Sequence, residues 1–141
     1  MDYKQFQNSV YRNASMGITA LKAMIPRIPD SKMKNLLIKQ YNSYKAQTEL
    51  TASQMKRHSL EPVPPPLMAR LMTTASVALK LKRDNSTGNA AKMVIKGTNT
   101  GIIELTEKLN HTTCGSPEAI QSAKEYLKRE QKNIESLKPY L

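Results

Sequence analysis

Met16-Gly17-Ile18-Thr19-Ala20-Leu21 returns 84 residues later as Thr100-Gly101-Ile102-Ile103-Glu104-Leu105. Both phrases lie inside long helical patterns. A glycine in a helix interior costs roughly 1 kcal/mol relative to alanine, so each must be offset. Close backbone approach between two helices is the simplest compensation. Each phrase opens a helix–loop–helix unit, and the chain reads as two related hairpins joined by a long crossover.

Working outward from Gly17, Phe6, Val10, Leu21 and Met24 recur at three-to-four spacing, with Ala14, Ile18 and Ile25 widening the stripe. That period predicts an amphipathic helix over about 3–25, stopped by Pro26 and Pro29. Asp30 caps a second helix over about 31–58. Its stripe begins with Met33, Leu36 and Leu37 and then turns polar. Gln40, Tyr44, Gln47, Thr51, Gln54 and His58 fall at alternating steps of four and three, which is one helix face. A competing row holds Tyr41, Thr48 and Met55.

Pro62-Val63-Pro64-Pro65-Pro66 is a stiff, extended connector. A third helix, about 67–83, is short and amphipathic, with Met68, Leu71, Met72, Ala75 and Leu79 on one side. That side is expected to pack across the rest of the fold; the other reading is a basic amphipathic helix that lies on a membrane or in a partner's groove. Lys80, Lys82 and Arg83 close its C-terminal end, where the helix dipole favours cations.

A fourth helix over about 89–110 carries Ala91, Val94, Ile95, Thr98, Ile102, Leu105 and Leu109 on its stripe. Ser116-Pro117-Glu118 starts the fifth, about 117–138, with a cap, a proline and a first-turn carboxylate. Ile120, Ala123, Leu127, Glu130, Ile134, Leu137 and Leu141 share its inner face.

The expected fold is all-α: one domain over residues 1–141, with four long helices in two antiparallel hairpins and a short amphipathic crossover helix. Only seven of the residues are aromatic (Tyr 6, Phe 1, Trp 0), so the core must be aliphatic, which suits helices. The apolar runs are far short of a membrane span, and Met1-Asp2-Tyr3-Lys4-Gln5 does not open a signal peptide. Cys114 has no second cysteine to pair with, and a reducing cytoplasm is the expected compartment.

The net charge of +11 is uneven: residues 1–83 hold 14 Lys/Arg against 4 Asp/Glu. One reading is a positive face for an anionic partner, such as nucleic acid, anionic lipid or an acidic protein. The plainer reading is a solvated, lysine-rich surface.

A glutamate on a core stripe must be hydrogen-bonded or neutral. Glu130 falls on such a stripe; opposite it the second helix offers Tyr44, Gln40 or Gln47, and the first helix Asn13, the readings being a relic or alternative site, a satisfied polar cluster, or a stripe edge that reaches water. Glu130, Tyr44, Gln40, Gln47 and Asn13 therefore form a candidate internal polar cluster. Gly17 and Gly101 are read separately, as points of close packing between helices. His111 and Cys114 share one loop, but two donors do not make a zinc site, which wants four. His58 suits the C-terminal end of a helix dipole. Gly97-Thr98-Asn99-Thr100-Gly101 follows no strand and fits no phosphate loop.

Several phrases together resemble short bacterial ferritin-like proteins of uncharacterised function: Met16-Gly17-Ile18, Gln40 with Tyr41 and Tyr44, Met93 through Gly101, and Glu130 through Leu141. A more distant similarity is to ferritin-like spore-coat proteins. The resemblance covers most of the chain. It implies a ferritin-like bundle and self-association, a dimer being favoured. Members of the group often carry a histidine near the start of the fourth helix, where this chain has Asn89.

Di-metal carboxylate bundles need a Glu from each of two helices and a Glu-x-x-His from each of the other two. No Glu-x-x-His occurs in this chain, and it has two histidines in all. No metal or other cofactor is therefore expected. The leading expectation is a non-enzymatic structural or interaction protein without a di-iron site. A cationic binder of an anionic partner comes second, and a metal-dependent oxidase third.

Overall fold

The computed structural model describes residues Met1–Leu141. It is all-helical: α1 (Tyr3–Met24), α2 (Ser31–Arg57), α3 (Leu67–Arg83), α4 (Thr87–His111) and α5 (Pro117–Leu137), with single 3-10 turns at Ile25–Arg27 and Lys138–Tyr140.

The helix starts follow their capping chemistry. Asp2 accepts from the Gln5 amide at 2.8 Å while Gln5 reaches back to the Asp2 amide at 3.0 Å, a reciprocal capping box. Asp30 accepts from the Met33 amide at 2.8 Å. Ser116 accepts from the Ala119 amide at 3.3 Å, with Pro117 in the first turn. α4 begins at Thr87, two residues ahead of the expected start, because the Ser86 hydroxyl takes the Asn89 amide at 3.2 Å. α2 closes on Ser59, whose φ of 56° lets the Leu60 amide reach the Met55 carbonyl at 3.0 Å. Asp30→Ala is expected to lower stability by about 1 kcal/mol, measurable as a lower urea midpoint at unchanged slope.

Contacts between residues far apart in the chain set the helix directions. Tyr3 at the start of α1 stacks on His58 at the end of α2, ring centroids 4.0 Å apart, so these two helices are antiparallel. The Met1 carbonyl accepts from the Thr113 amide just past α4 at 2.9 Å, so α4 also opposes α1. Gln40 near the start of α2 donates to the Asn133 carbonyl near the end of α5, while Arg57 at the end of α2 pairs with Glu118 at the start of α5. α5 therefore opposes α2. In chain order the four long helices run up, down, down and up. The segment between α2 and α4 must then climb the full height of the fold, and α3 is part of that climb. It lies along α1, tied at its lower end where the Val63 amide donates to Asn8 at 2.8 Å and Arg12 donates to the Val63 carbonyl at 3.3 Å.

The core runs through Phe6, Val10, Leu21, Met24, Met33, Leu37, Leu105 and Leu137, all nearly solvent-free. Burying such side chains contributes roughly 1.5–3 kcal/mol each. α3 departs from expectation. Its Met68, Leu71, Met72 and Leu79 are 66%, 55%, 65% and 51% exposed, and Val77 and Leu81 are buried instead. α3 packs against α1 with Val77 and Leu81 as its buried residues, and the larger apolar stripe is turned outward. Leu141 is also exposed, because Pro139 and the turn at Lys138–Tyr140 take the chain off the α5 face.

A candidate ligand cleft over a buried carboxyl

Glu130 is 4% exposed and Tyr44 equally buried. The Tyr44 hydroxyl donates to Glu130 Oε2 at 2.7 Å, and Asn133 Nδ2 donates to Glu130 Oε1 at 3.0 Å. Asn133 lies one turn beyond Glu130 on α5, and its carbonyl accepts from Gln40 Nε2 at 3.3 Å. Desolvation pushes the Glu130 carboxyl up to about 7, against the hydrogen bonds from Tyr44 and Asn133 and the charge of Arg129. The Tyr44 phenol is raised far above its ordinary value, first by burial and then by the Glu130 charge. Tyr126 moves the same way for the same two reasons.

Asn13 forms a neighbouring station. Its Oδ1 accepts from the Tyr126 hydroxyl at 2.6 Å and its Nδ2 donates to the Gly101 carbonyl at 3.0 Å. Tyr126 in turn meets Tyr44 edge to face, centroids 6.4 Å apart. Gln47 sits one turn from Tyr44, accepting from Arg129 at 2.6 Å and donating to Thr51 at 3.0 Å. Glu130, Tyr44, Gln40 and Asn133 thus share one bonded group. Asn13 joins through Tyr126 by ring contact, and Gln47 through Arg129, the residue next to Glu130. Gln40 Oε1 is buried without a partner.

The two glycines serve this cluster, which corrects the expectation of backbone meeting backbone. A Cβ on Gly17 would lie 2.8 Å from three ring carbons of Tyr44, and a Cβ on Gly101 would lie 3.0 Å from Asn13 Nδ2. Each glycine makes room for a side chain of the polar layer.

Asn133 and Tyr126 escaped the sequence reading. Both stand at helical neighbour positions to Glu130, three residues after and four before, which is the signal that marks them. Gln7 also escaped; it donates to Gln54 at 2.8 Å inside the α1–α2 seam. His58 stacks on Tyr3 at the surface. Cys114 is half-buried in the loop before α5, its amide donating to Thr112 at 3.2 Å.

No three His, Cys, Asp or Glu side chains gather around one point. The groups at Glu130 are a phenol, two amides and a guanidinium. These residues do not fit a di-iron centre, which needs several carboxylates and imidazoles.

Above the cluster α3 and α4 stand apart over α1, leaving a cleft of about 890 Å³. Tyr44, Glu130, Gly17 and Gly101 lie at its base. Met16, Met24, Val77, Met93 and Leu105 supply apolar lining. Arg12, Lys80, Lys92, Lys96 and Lys108 line it too, against Glu104 and Glu130 as the acids. The Lys side chains come from two helices, so the cleft is cationic because the fold brings α3 and α4 together. Comparison with protein-family models, curated proteins and solved structures returned no match to this chain.

Proposed function

We propose that this chain is a ferritin-like helical protein that binds rather than catalyses, and that its cleft takes a small amphipathic anion. The up, down, down, up order with one long crossover is the connectivity of ferritin-like folds, and supports that part of the reading. Fold alone says nothing of the ligand. The observation that carries the binding proposal is the cleft itself, an apolar trough with cations on both walls. An alkyl chain satisfies the methionine and leucine lining. A carboxylate or phosphate head satisfies Lys80, Lys92 and Lys96 at the walls. Desolvation keeps the Glu130 carboxyl partly protonated near neutrality, which reduces its repulsion of an anion there.

Titration with dansyl-undecanoic acid at low salt tests this. Saturable one-to-one fluorescence enhancement is expected, weakened by salt. Removing two wall charges in Lys92→Gln/Lys96→Gln is expected to weaken binding about tenfold, or about 1.4 kcal/mol. Linear, non-saturating fluorescence, or equal binding of the uncharged methyl ester, would contradict it.

A further inference from the structure

The outward face of α3 is a surface for which the fold supplies no partner. Leu67, Met68, Leu71, Met72 and Leu79 are each between 51% and 66% exposed. At 100° per residue they occupy a sector of about 140°, with Ala75 inside it. The buried Val77 and Leu81 lie about 150° and about 110° round the helix from the centre of that sector. The apolar residues therefore face outward.

The charges on this helix have one sign. Leu67–Arg83 contains no Asp or Glu, while Arg70, Lys80, Lys82 and Arg83 are all cationic. Lys82 and Arg83 are exposed at the C-terminal end of the apolar face, while Arg70 is half-buried and Lys80 lines the cleft. We propose that α3 docks this protein on an anionic lipid bilayer, lying flat with its Leu and Met side chains in the interface and its cations among the headgroups.

Charge complementarity chooses this occupant. A second copy of α3 brings another acid-free helix, so two such faces packed together gain apolar contact but leave their cations unpaired. An anionic headgroup layer supplies the apolar boundary and the counter-charge at once. Unbranched methionines adapt to an irregular acyl surface. The geometry suits a helix that lies on a membrane, since no helix is long and apolar enough to cross one. α3 lies between the proline connector and the turn at Asp84–Ser86, and its apolar face is already exposed in the folded chain. The docking does not rest on the cleft as a ligand site.

Co-sedimentation of the full chain with vesicles tests it. One set is equimolar phosphatidylglycerol and phosphatidylcholine, the other phosphatidylcholine alone. Binding to the anionic set is expected to exceed the neutral set by at least about tenfold at low salt and to fall as salt rises. Met68→Gln/Met72→Gln is expected to weaken it about tenfold or more. Lys82→Gln/Arg83→Gln is expected to weaken it by about fivefold or more. All four residues are exposed, and unchanged thermal unfolding of each variant excludes misfolding. Lys32→Gln/Lys39→Gln on the exposed side of α2 removes the same charge elsewhere and is expected to change binding by less than about twofold. Equal binding to both vesicle sets would overturn the proposal, as would an equal loss from the α2 pair. A dimer in vesicle-free buffer that Met68→Gln/Met72→Gln dissolves would also overturn it, naming a second copy as the occupant.

Discussion

Glu130→Gln is expected to stabilise the protein at pH 8 by about 2 kcal/mol and to destabilise it by roughly 1 kcal/mol at pH 4. The carboxyl holds its proton up to about 7 in the folded chain, against an ordinary value of 4.5. Below 4.5 both folded and unfolded chains carry the proton, and the group exerts no pull. Between 4.5 and 7 the unfolded chain releases it while the folded chain keeps it, so rising pH favours unfolding. The loss accumulates at about 1.4 kcal/mol per unit, to about 3 kcal/mol, and is complete once the folded carboxyl ionises. Glutamine keeps the shape and cannot ionise, so that slope disappears. The new amide exchanges a carboxylate oxygen for a donor toward Tyr44 or Asn133, which returns about 1 kcal/mol of the gain. Urea unfolding of both proteins from pH 4 to 8 gives the difference directly, since other titrating groups cancel. Parallel profiles for the two proteins would show that Glu130 ionises normally.

Gly17→Ala is expected to cost about 1–2 kcal/mol, although alanine is the better helix former. The added methyl would sit 2.8 Å from the Tyr44 ring. That ring cannot swing aside freely, because its hydroxyl is bonded to Glu130 and Tyr126 meets it edge on. Gly97 provides the contrast: it is also inside α4 as a helical glycine, but a Cβ there meets nothing within 4 Å. Gly97→Ala is expected to stabilise by about 0.5–1 kcal/mol. Tyr44→Ala removes the obstacle, and in that background Gly17→Ala is expected to turn neutral or stabilising, a coupling of about 1–3 kcal/mol. Equal gains from Gly17→Ala and Gly97→Ala would contradict the packing described at Tyr44.

Local chemistry was legible in the chain. The Asp30 and Ser116-Pro117 starts, the proline stops and the apolar periods specify where helices begin and end, because capping and periodicity act within a few residues. The polar row Gln40, Tyr44, Gln47, Thr51, Gln54 and His58 was legible as one face for the same reason; the first five are buried, and His58, the cap beyond α2, is exposed. Met55 of the competing row is buried as well, since α2 meets α1 and α5 on a face wider than one row. Tertiary placement was not legible. Period alone shows that α3 has an apolar stripe, not whether anything covers it. Val77 and Leu81 make a sparser row than Met68, Leu71, Met72 and Leu79, yet the sparser row packs. The roles of the glycines depended on which side chain from another helix faces them. The cleft needs Lys80 and Lys92 on the same trough, and they come from separate helices.

Methyl NMR of protein carrying 13C-labelled methionine, titrated with decanoate, tests the central claim most directly. The eight methionines divide by location. Met16, Met24 and Met93 line the cleft, Met33 and Met55 are in the core, Met68 and Met72 lie on the outer face of α3, and Met1 is exposed at the N-terminus. Binding in the cleft predicts saturable shifts at Met16, Met24 and Met93, with Met33 and Met55 unmoved. Shifts confined to Met68 and Met72, or none at Met16 and Met93, would contradict a ligand site over Glu130.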